Sequence, residues 1–98
     1  MDERGFREFL SQKTFKGVRY TEKSVASRMT KAKKAENILE SSFDLIVADD
    51  KKMYDALIEL QKHEDPAHNL MQNALRKYYI FKNGKEFPQK KEYREKHL

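Results

Sequence analysis

The chain has 98 residues, which is room for one domain, because domains run from about 50 to 200 residues. It contains no cysteine, which excludes disulfides, thiolate metal ligands and a cysteine nucleophile. No apolar run approaches the roughly 20 residues of a membrane span, and the start lacks the apolar core of a signal peptide, so we expect a cytoplasmic protein.

The charges are segregated along the chain. The net charge is −1 over residues 1–12, +7 over 13–34, −6 over 35–65 and +5 over 66–98, and the whole chain carries +5. A concentrated basic surface attracts polyanions, whereas the same charges mixed with acids would mainly favour solubility. The segment 13–34 is therefore the first candidate for a binding surface.

The first elements are predicted to be a short helix, a basic loop and a long helix. Residues 2–12 place apolar side chains at helical spacing, and we expect these to be core: Phe6, Phe9 and Leu10. The stretch 13–20 has no helical stripe and is predicted to be a loop. Thr21 is predicted to cap a helix that runs to about Leu39, with an apolar stripe on one side and a basic, hydroxyl-rich surface on the other.

The acidic middle of the chain predicts two more helices. Residues 43–47 could form a buried strand or a short helix, and the helix is favoured because no other strand candidate exists to pair with them. Asp49 or Asp50 is predicted to cap a helix to about His63, whose apolar stripe contains Met53, Ala56, Leu57 and Leu60.

The last predicted helix starts at Asp65-Pro66, which looks like an N-cap followed by proline at the first helical position, and ends at Asn83-Gly84. Tyr78 is expected in the core and Tyr79 at the surface. Residues 89–98 are almost all charged and are predicted to be a disordered tail after a domain at 1–88. The predicted fold class is an all-α, compact bundle of four to five helices.

No catalytic constellation is visible. His63 and His68 lie five apart with Pro66 between them, which does not match the zinc-protease spacing, and the serines lack a nucleophile-elbow context. The three glycines are too far apart to cradle a phosphate chain. We therefore expect a binding protein without enzymatic activity, metal or cofactor.

Three segments resemble the SAM-like core-binding domain of phage integrases and other tyrosine recombinases. They are residues 6–10 (FREFL), 20–28 (YTEKSVASR) and 73–81 (NALRKYYIF), which correspond in order to that domain's first helix, second helix and last helix. The resemblance implies a SAM-like bundle that contacts duplex DNA. The catalytic domain of those recombinases has no counterpart here, so strand cleavage is not implied.

The sequence and this resemblance together predict a non-catalytic module that binds double-stranded DNA, either as a mobile-element accessory or as an N-terminal module of a recombinase or nuclease. The predicted DNA-binding residues are Lys16, Arg19, Lys23, Ser24, Ser27, Arg28, Lys31, Lys34, Arg76 and Lys77. The alternative is a protein-interaction module that docks a basic partner on the acidic helix 49–63, through Asp49, Asp50, Asp55 and Glu59.

Overall fold

The computed structural model describes residues 1–12, 14–15 and 18–97. Within these residues the elements in chain order are α1 (Glu3–Gln12), β1 (Thr14–Phe15), β2 (Val18–Arg19), α2 (Glu22–Leu39), α3 (Phe43–Val47), α4 (Asp50–Gln61), α5 (Leu70–Asn83) and α6 (Lys90–His97). The radius of gyration is 12.9 Å, close to the roughly 13 Å of a folded chain of this length. The predicted all-α, compact bundle is confirmed, with six helices among the described residues rather than four or five.

The predictions for α1 and α2 are confirmed. Phe6 and Leu10 are fully buried, and Phe9 packs against the core from its edge. The side chain of Thr21 accepts a hydrogen bond from the backbone N–H of Ser24 (3.1 Å), which satisfies one of the free donors at the start of α2. The apolar stripe of α2 faces the core with Val25, Met29, Ala32 and Ala35 buried.

The prediction of a loop over 13–20 is wrong in part. Residues 14–15 and 18–19 form two short antiparallel strands, with Thr14 opposite Arg19 and Phe15 opposite Val18. Strands of two residues are too short to show an alternating pattern in sequence, so periodicity could not find them. The second strand ends two positions before Thr21, the cap of α2.

The short helix over 43–47 and the helix that follows it are confirmed. Ser42 caps α3 and Asp49 caps α4, where one carboxylate oxygen of Asp49 accepts from the N–H groups of Lys51 (2.9 Å) and Lys52 (3.1 Å). The predicted stripe of α4 is buried, and Tyr54 is buried with it.

The predicted start of the last long helix is wrong. The carboxylate of Asp65 accepts from the N–H of Ala67 (2.8 Å) in an isolated turn, and α5 begins only at Leu70. Its first turn is capped from seven and eight residues upstream, because the carboxylate of Glu64 accepts from the N–H of Met71 and from the N–H of Gln72 (3.2 Å). The end of α5 is as predicted, with Gly84 in the left-handed region at φ 73°.

The prediction of a disordered tail is also wrong, because residues 90–97 form α6. Two aromatic side chains anchor this segment: Phe87 and Tyr93, both buried. The ring of Tyr93 stacks on Tyr54 of α4 (5.0 Å between ring centroids) and contacts Phe87 (5.3 Å). Most charged side chains of α6 therefore lie on its outer surface, whereas Tyr93 packs the inner surface against α4.

Tyr78 lies at the centre of the core, as predicted, and Tyr79 is not a surface residue. The ring of Tyr78 packs edge-on against Phe6 (5.0 Å) and contacts Phe43 and Phe81 (both 5.5 Å). Tyr79 is only 3% exposed, and its hydroxyl donates to the carboxylate of Asp50 (2.8 Å). Burial and this hydrogen bond raise the pKa of Tyr79 to about 12, so it remains a protonated donor at neutral pH.

The carboxylate of Asp44 on α3 collects polar groups from several parts of the chain. It accepts from the hydroxyl of Tyr78, and it lies 3.3 Å from the α-amino group of Met1 and 3.7 Å from Nζ of Lys82. Burial alone would raise the pKa of Asp44, but these donors and positive charges outweigh burial and hold it below its usual value. The ionised form of Asp44 therefore stabilises the folded state.

We expect Asp44→Asn to lower the free energy of unfolding at neutral pH, and the difference from the wild type to shrink as the pH falls below about 4. A carboxylate whose pKa is lowered by folding contributes stability above its unfolded pKa and loses that contribution as the pH falls through its folded pKa. Urea unfolding at neutral pH and at about pH 3 measures this change. Asp55→Asn is the control. It removes only the exposed ion pair with Lys51, so its effect on the free energy of unfolding should be small at both pH values. An equal Asp44→Asn effect at both pH values would contradict the expectation.

Candidate nucleic-acid interface

The outward face of α2 carries a straight row of polar side chains. Lys23, Ser27, Thr30 and Lys34 are spaced four, three and four residues apart, so they lie along one line of the helix, and all four are exposed. At 1.5 Å per residue the row is about 16 Å long. The buried stripe of α2 is on the opposite side, which points the row away from the core.

A second row flanks the first at the edge of the core. It contains Ser24, Arg28 and Lys31, all partly buried. Ser24 is engaged in the cap of α2, where its hydroxyl accepts from that of Thr21 (3.1 Å). The guanidinium of Arg28 lies over the ring of Tyr20, 4.0 Å from its centroid. Such stacking orients a guanidinium while leaving the N–H groups at its rim available.

Most cations of α2 have no carboxylate partner in the described part of the chain. Lys33 forms an ion pair with Glu3 of α1 (2.7 Å), whereas the four other basic side chains of the helix form none with the described residues: Lys23, Arg28, Lys31 and Lys34. The hydroxyl of Thr30 donates to the carbonyl of Ala26 (3.1 Å), and that of Ser27 makes no hydrogen bond within the described residues. The helix therefore presents four cations and one hydroxyl that have no partner among the residues that the structure describes.

Two further predicted DNA-binding residues, Lys16 and Arg19, precede α2 in the basic segment 13–34, and the structure describes one of them. Arg19 is exposed on β2, just before α2, whereas Lys16 lies outside the described residues. The contact between Tyr20 and Arg28 was not predicted from the sequence. A tyrosine next to the cap of a basic helix is the signal that could have suggested it, because arginine commonly stacks on aromatic faces.

Arg76 and Lys77 do not belong to the rows on α2. Nη1 of Arg76 donates to the backbone carbonyls of Phe87 (3.0 Å) and Pro88 (3.3 Å), so this side chain fastens the segment before α6 to α5. Burial lowers the pKa of Arg76, and the nearby charge of Glu86 offsets part of the effect. Both residues line a small cavity formed by α5 and residues 86–89, to which no residue of α2 contributes.

The acidic residues predicted to dock a protein partner are all engaged within the chain. Asp49 caps α4, Asp50 accepts from Tyr79, and Asp55 pairs with Lys51 (2.7 Å). Glu59 lies 3.4 Å from Nε2 of His63 and 3.8 Å from Nζ of Lys62. These four acidic side chains are thus engaged within their own chain, in contrast to the cations of α2 other than Lys33.

Among the described residues no three histidine or acidic side chains are grouped so that they could hold a metal ion. None of the helices described is both long enough and apolar enough to cross a bilayer. Comparison of the chain with protein-family models, with curated proteins and with solved structures gives no match.

Proposed function

We propose that this protein is a non-catalytic module that binds double-stranded DNA in the cytoplasm through the outward face of α2, assisted by Arg19. The observation that carries the proposal is the difference between the two charged blocks. The cations of α2 other than Lys33 have no carboxylate partner among the described residues, whereas the acids of α4 are engaged with groups of their own chain.

The chemistry of this face suits a phosphate backbone. Lysines attract phosphates and release the counterions condensed around them, which supplies most of the non-specific affinity for duplex DNA. Ser27 adds a hydroxyl donor of the kind that commonly contacts phosphate oxygens. Arg28, held against Tyr20, offers the planar fork that makes bidentate contacts with guanine in a major groove wide enough for a helix.

The resemblance to the core-binding domain of tyrosine recombinases supports the same surface independently, because one of its three segments, residues 20–28, spans the start of α2. On this ground we place the protein among mobile-element recombination factors that bind DNA without cleaving it. The proposed surface does not include Arg76 and Lys77, which were predicted as DNA-binding residues on the last long helix.

We expect Lys23→Gln combined with Lys34→Gln to weaken binding to a labelled random-sequence duplex without changing the thermal unfolding midpoint. Both side chains are exposed and make no ion pair in the described structure, so the core is untouched. Each lost phosphate contact should lower the slope of log affinity against log salt by about one, and the pair by about two. Fluorescence anisotropy over a series of salt concentrations measures the slope.

The matched control is Lys91→Gln combined with Lys96→Gln, which removes the same charge from exposed positions on α6. If both double variants weaken binding equally, only net charge matters and the assignment to α2 is wrong. Failure of the wild type to bind the duplex at low salt would overturn the proposed function as a whole.

A further inference from the structure

A cavity of about 110 Å³ lies between α5 and the segment that leads to α6. Asn73, Arg76, Lys77 and Ile80 line it from α5, and Glu86, Phe87 and Gln89 close it from the other side. Its walls combine two cations, two side-chain amides and one carboxylate. Because it is much smaller than the roughly 300 Å³ or more of a site for a drug-sized ligand, it suits a small polar group.

Arg76 is partly buried in this cavity and has no anionic partner among the described residues. Nη1 uses the two carbonyls of Phe87 and Pro88, and neither Nε nor Nη2 makes a hydrogen bond within the described residues. No carboxylate of the described chain forms an ion pair with Arg76, although Glu86 is close enough to influence its pKa. Burying a cation without an anionic partner is costly, and an anion at the free edge of the guanidinium would offset that cost.

The side chains around Arg76 favour a tetrahedral oxyanion. Lys77 adds a second positive charge from the next position on α5, and the amides of Asn73 and Gln89 can donate further hydrogen bonds. The planar guanidinium of arginine can donate two parallel hydrogen bonds to the oxygens of a phosphate group. A phosphate group also carries more negative charge than a single carboxylate, so two cations match it better. Among the described residues, Glu86 is the one acidic residue that lines the cavity, and it is exposed at the surface.

We propose that this cavity is a binding site for a single phosphate group, held by Arg76 and Lys77. The site is separate from the α2 face and does not depend on the proposed DNA binding. Two sources can supply the group: free inorganic phosphate, or a phosphate of a nucleic-acid backbone that reaches α5.

Titration with inorganic phosphate tests the site directly. In ¹H–¹⁵N spectra of the full chain, we expect saturable shifts at Nε–Hε of Arg76 and at the backbone amides of Glu86, Phe87 and Gln89, with a dissociation constant in the millimolar range. Sodium chloride at equal ionic strength should not reproduce them. Equal, non-saturating shifts in both salts would overturn the proposal.

Two substitutions should change the affinity for phosphate in opposite directions. Lys77→Gln should weaken binding by about fivefold, because a charged donor is lost. Glu86→Gln should strengthen binding by about threefold, because an exposed carboxylate no longer repels the anion. Glu95→Gln, the same charge change at an exposed position of α6 that does not line the cavity, is the control and should leave the affinity unchanged.

The increase expected for Glu86→Gln cannot arise from damage to the fold, so it keeps the proposal testable even if Lys77→Gln destabilises α5. Unchanged affinity in Glu86→Gln would contradict the site. Addition of the duplex then identifies the source: displacement of phosphate shows that the cavity takes a backbone phosphate, and undisturbed phosphate binding shows a site for the free ion.

Discussion

Tyr78→Ala is expected to remove a large part of the free energy of unfolding of this protein. The ring of Tyr78 is fully buried and touches Phe6 of α1, Phe43 of α3 and Phe81 of α5, so its removal opens a cavity where three helices meet. Truncation of a buried aromatic residue costs about 3–5 kcal/mol, a large share of the roughly 5–15 kcal/mol that stabilises a typical domain. Circular dichroism and urea unfolding would show the loss.

Tyr78→Phe separates the packing from the polar contacts. This variant keeps the ring but removes the hydroxyl that donates to Asp44 and accepts from the N–H of Asp2 (2.8 Å). The carboxylate of Asp44 and the N–H of Asp2 then each lose one hydrogen bond, at an expected cost of about 1–3 kcal/mol. The variant should fold with a lower urea midpoint. If Tyr78→Ala proved no less stable than Tyr78→Phe, the aromatic cluster would not be the main source of stability at this position.

Tyr93→Ala is expected to release α6 while the other helices stay folded. Tyr93 is the buried residue of α6, 6% exposed, and its ring supplies the stack on Tyr54. A helix of eight residues is too short to persist alone in water, where about 12–15 residues are marginal. Amide hydrogen exchange should therefore lose protection over residues 90–97 and keep it in α2 and α5.

Tyr93→Phe is the matched control for this release. The hydroxyl of Tyr93 makes no hydrogen bond in the described structure, so phenylalanine keeps the ring contacts with Tyr54 and Phe87. Exchange over 90–97 should then resemble that of the wild type. Protection that survives in Tyr93→Ala would mean that α6 is held by its polar contacts, such as the hydrogen bond from Nε of Arg94 to the hydroxyl of Tyr54 (2.9 Å).

Elements whose signals are local were predicted well from the sequence. The cap at Thr21, the stripe from Val25 to Ala35, the cap at Asp49 and the stop at Gly84 all depend on residues within a few positions of one another. The exposed row on α2 followed from the same periodicity, because defining the buried side of a helix also defines its outer side.

Features that depend on distant partners were missed. The start of α5 is determined by Glu64, which stands outside the helix that it caps. Residues 90–97 are held in place because Tyr93 stacks on Tyr54, which lies 39 positions earlier in the chain. The local sequence does not show this contact, so its charged composition suggested disorder. Arg76 looked like a surface cation because the carbonyls of Phe87 and Pro88 that it binds are contacts of tertiary structure.

The cap supplied by Glu64 also ties the formation of one helix to that of another. Glu64 follows the end of α4 by only three positions, so its carboxylate is in place for Met71 and Gln72 only when α4 is folded and docked. A peptide that comprises α5 alone would lack this acceptor for its first donors and would fray there. The helices α4 and α5 should therefore gain and lose their structure in a single cooperative step, with the turn between them belonging to the same folding unit as the helices it joins.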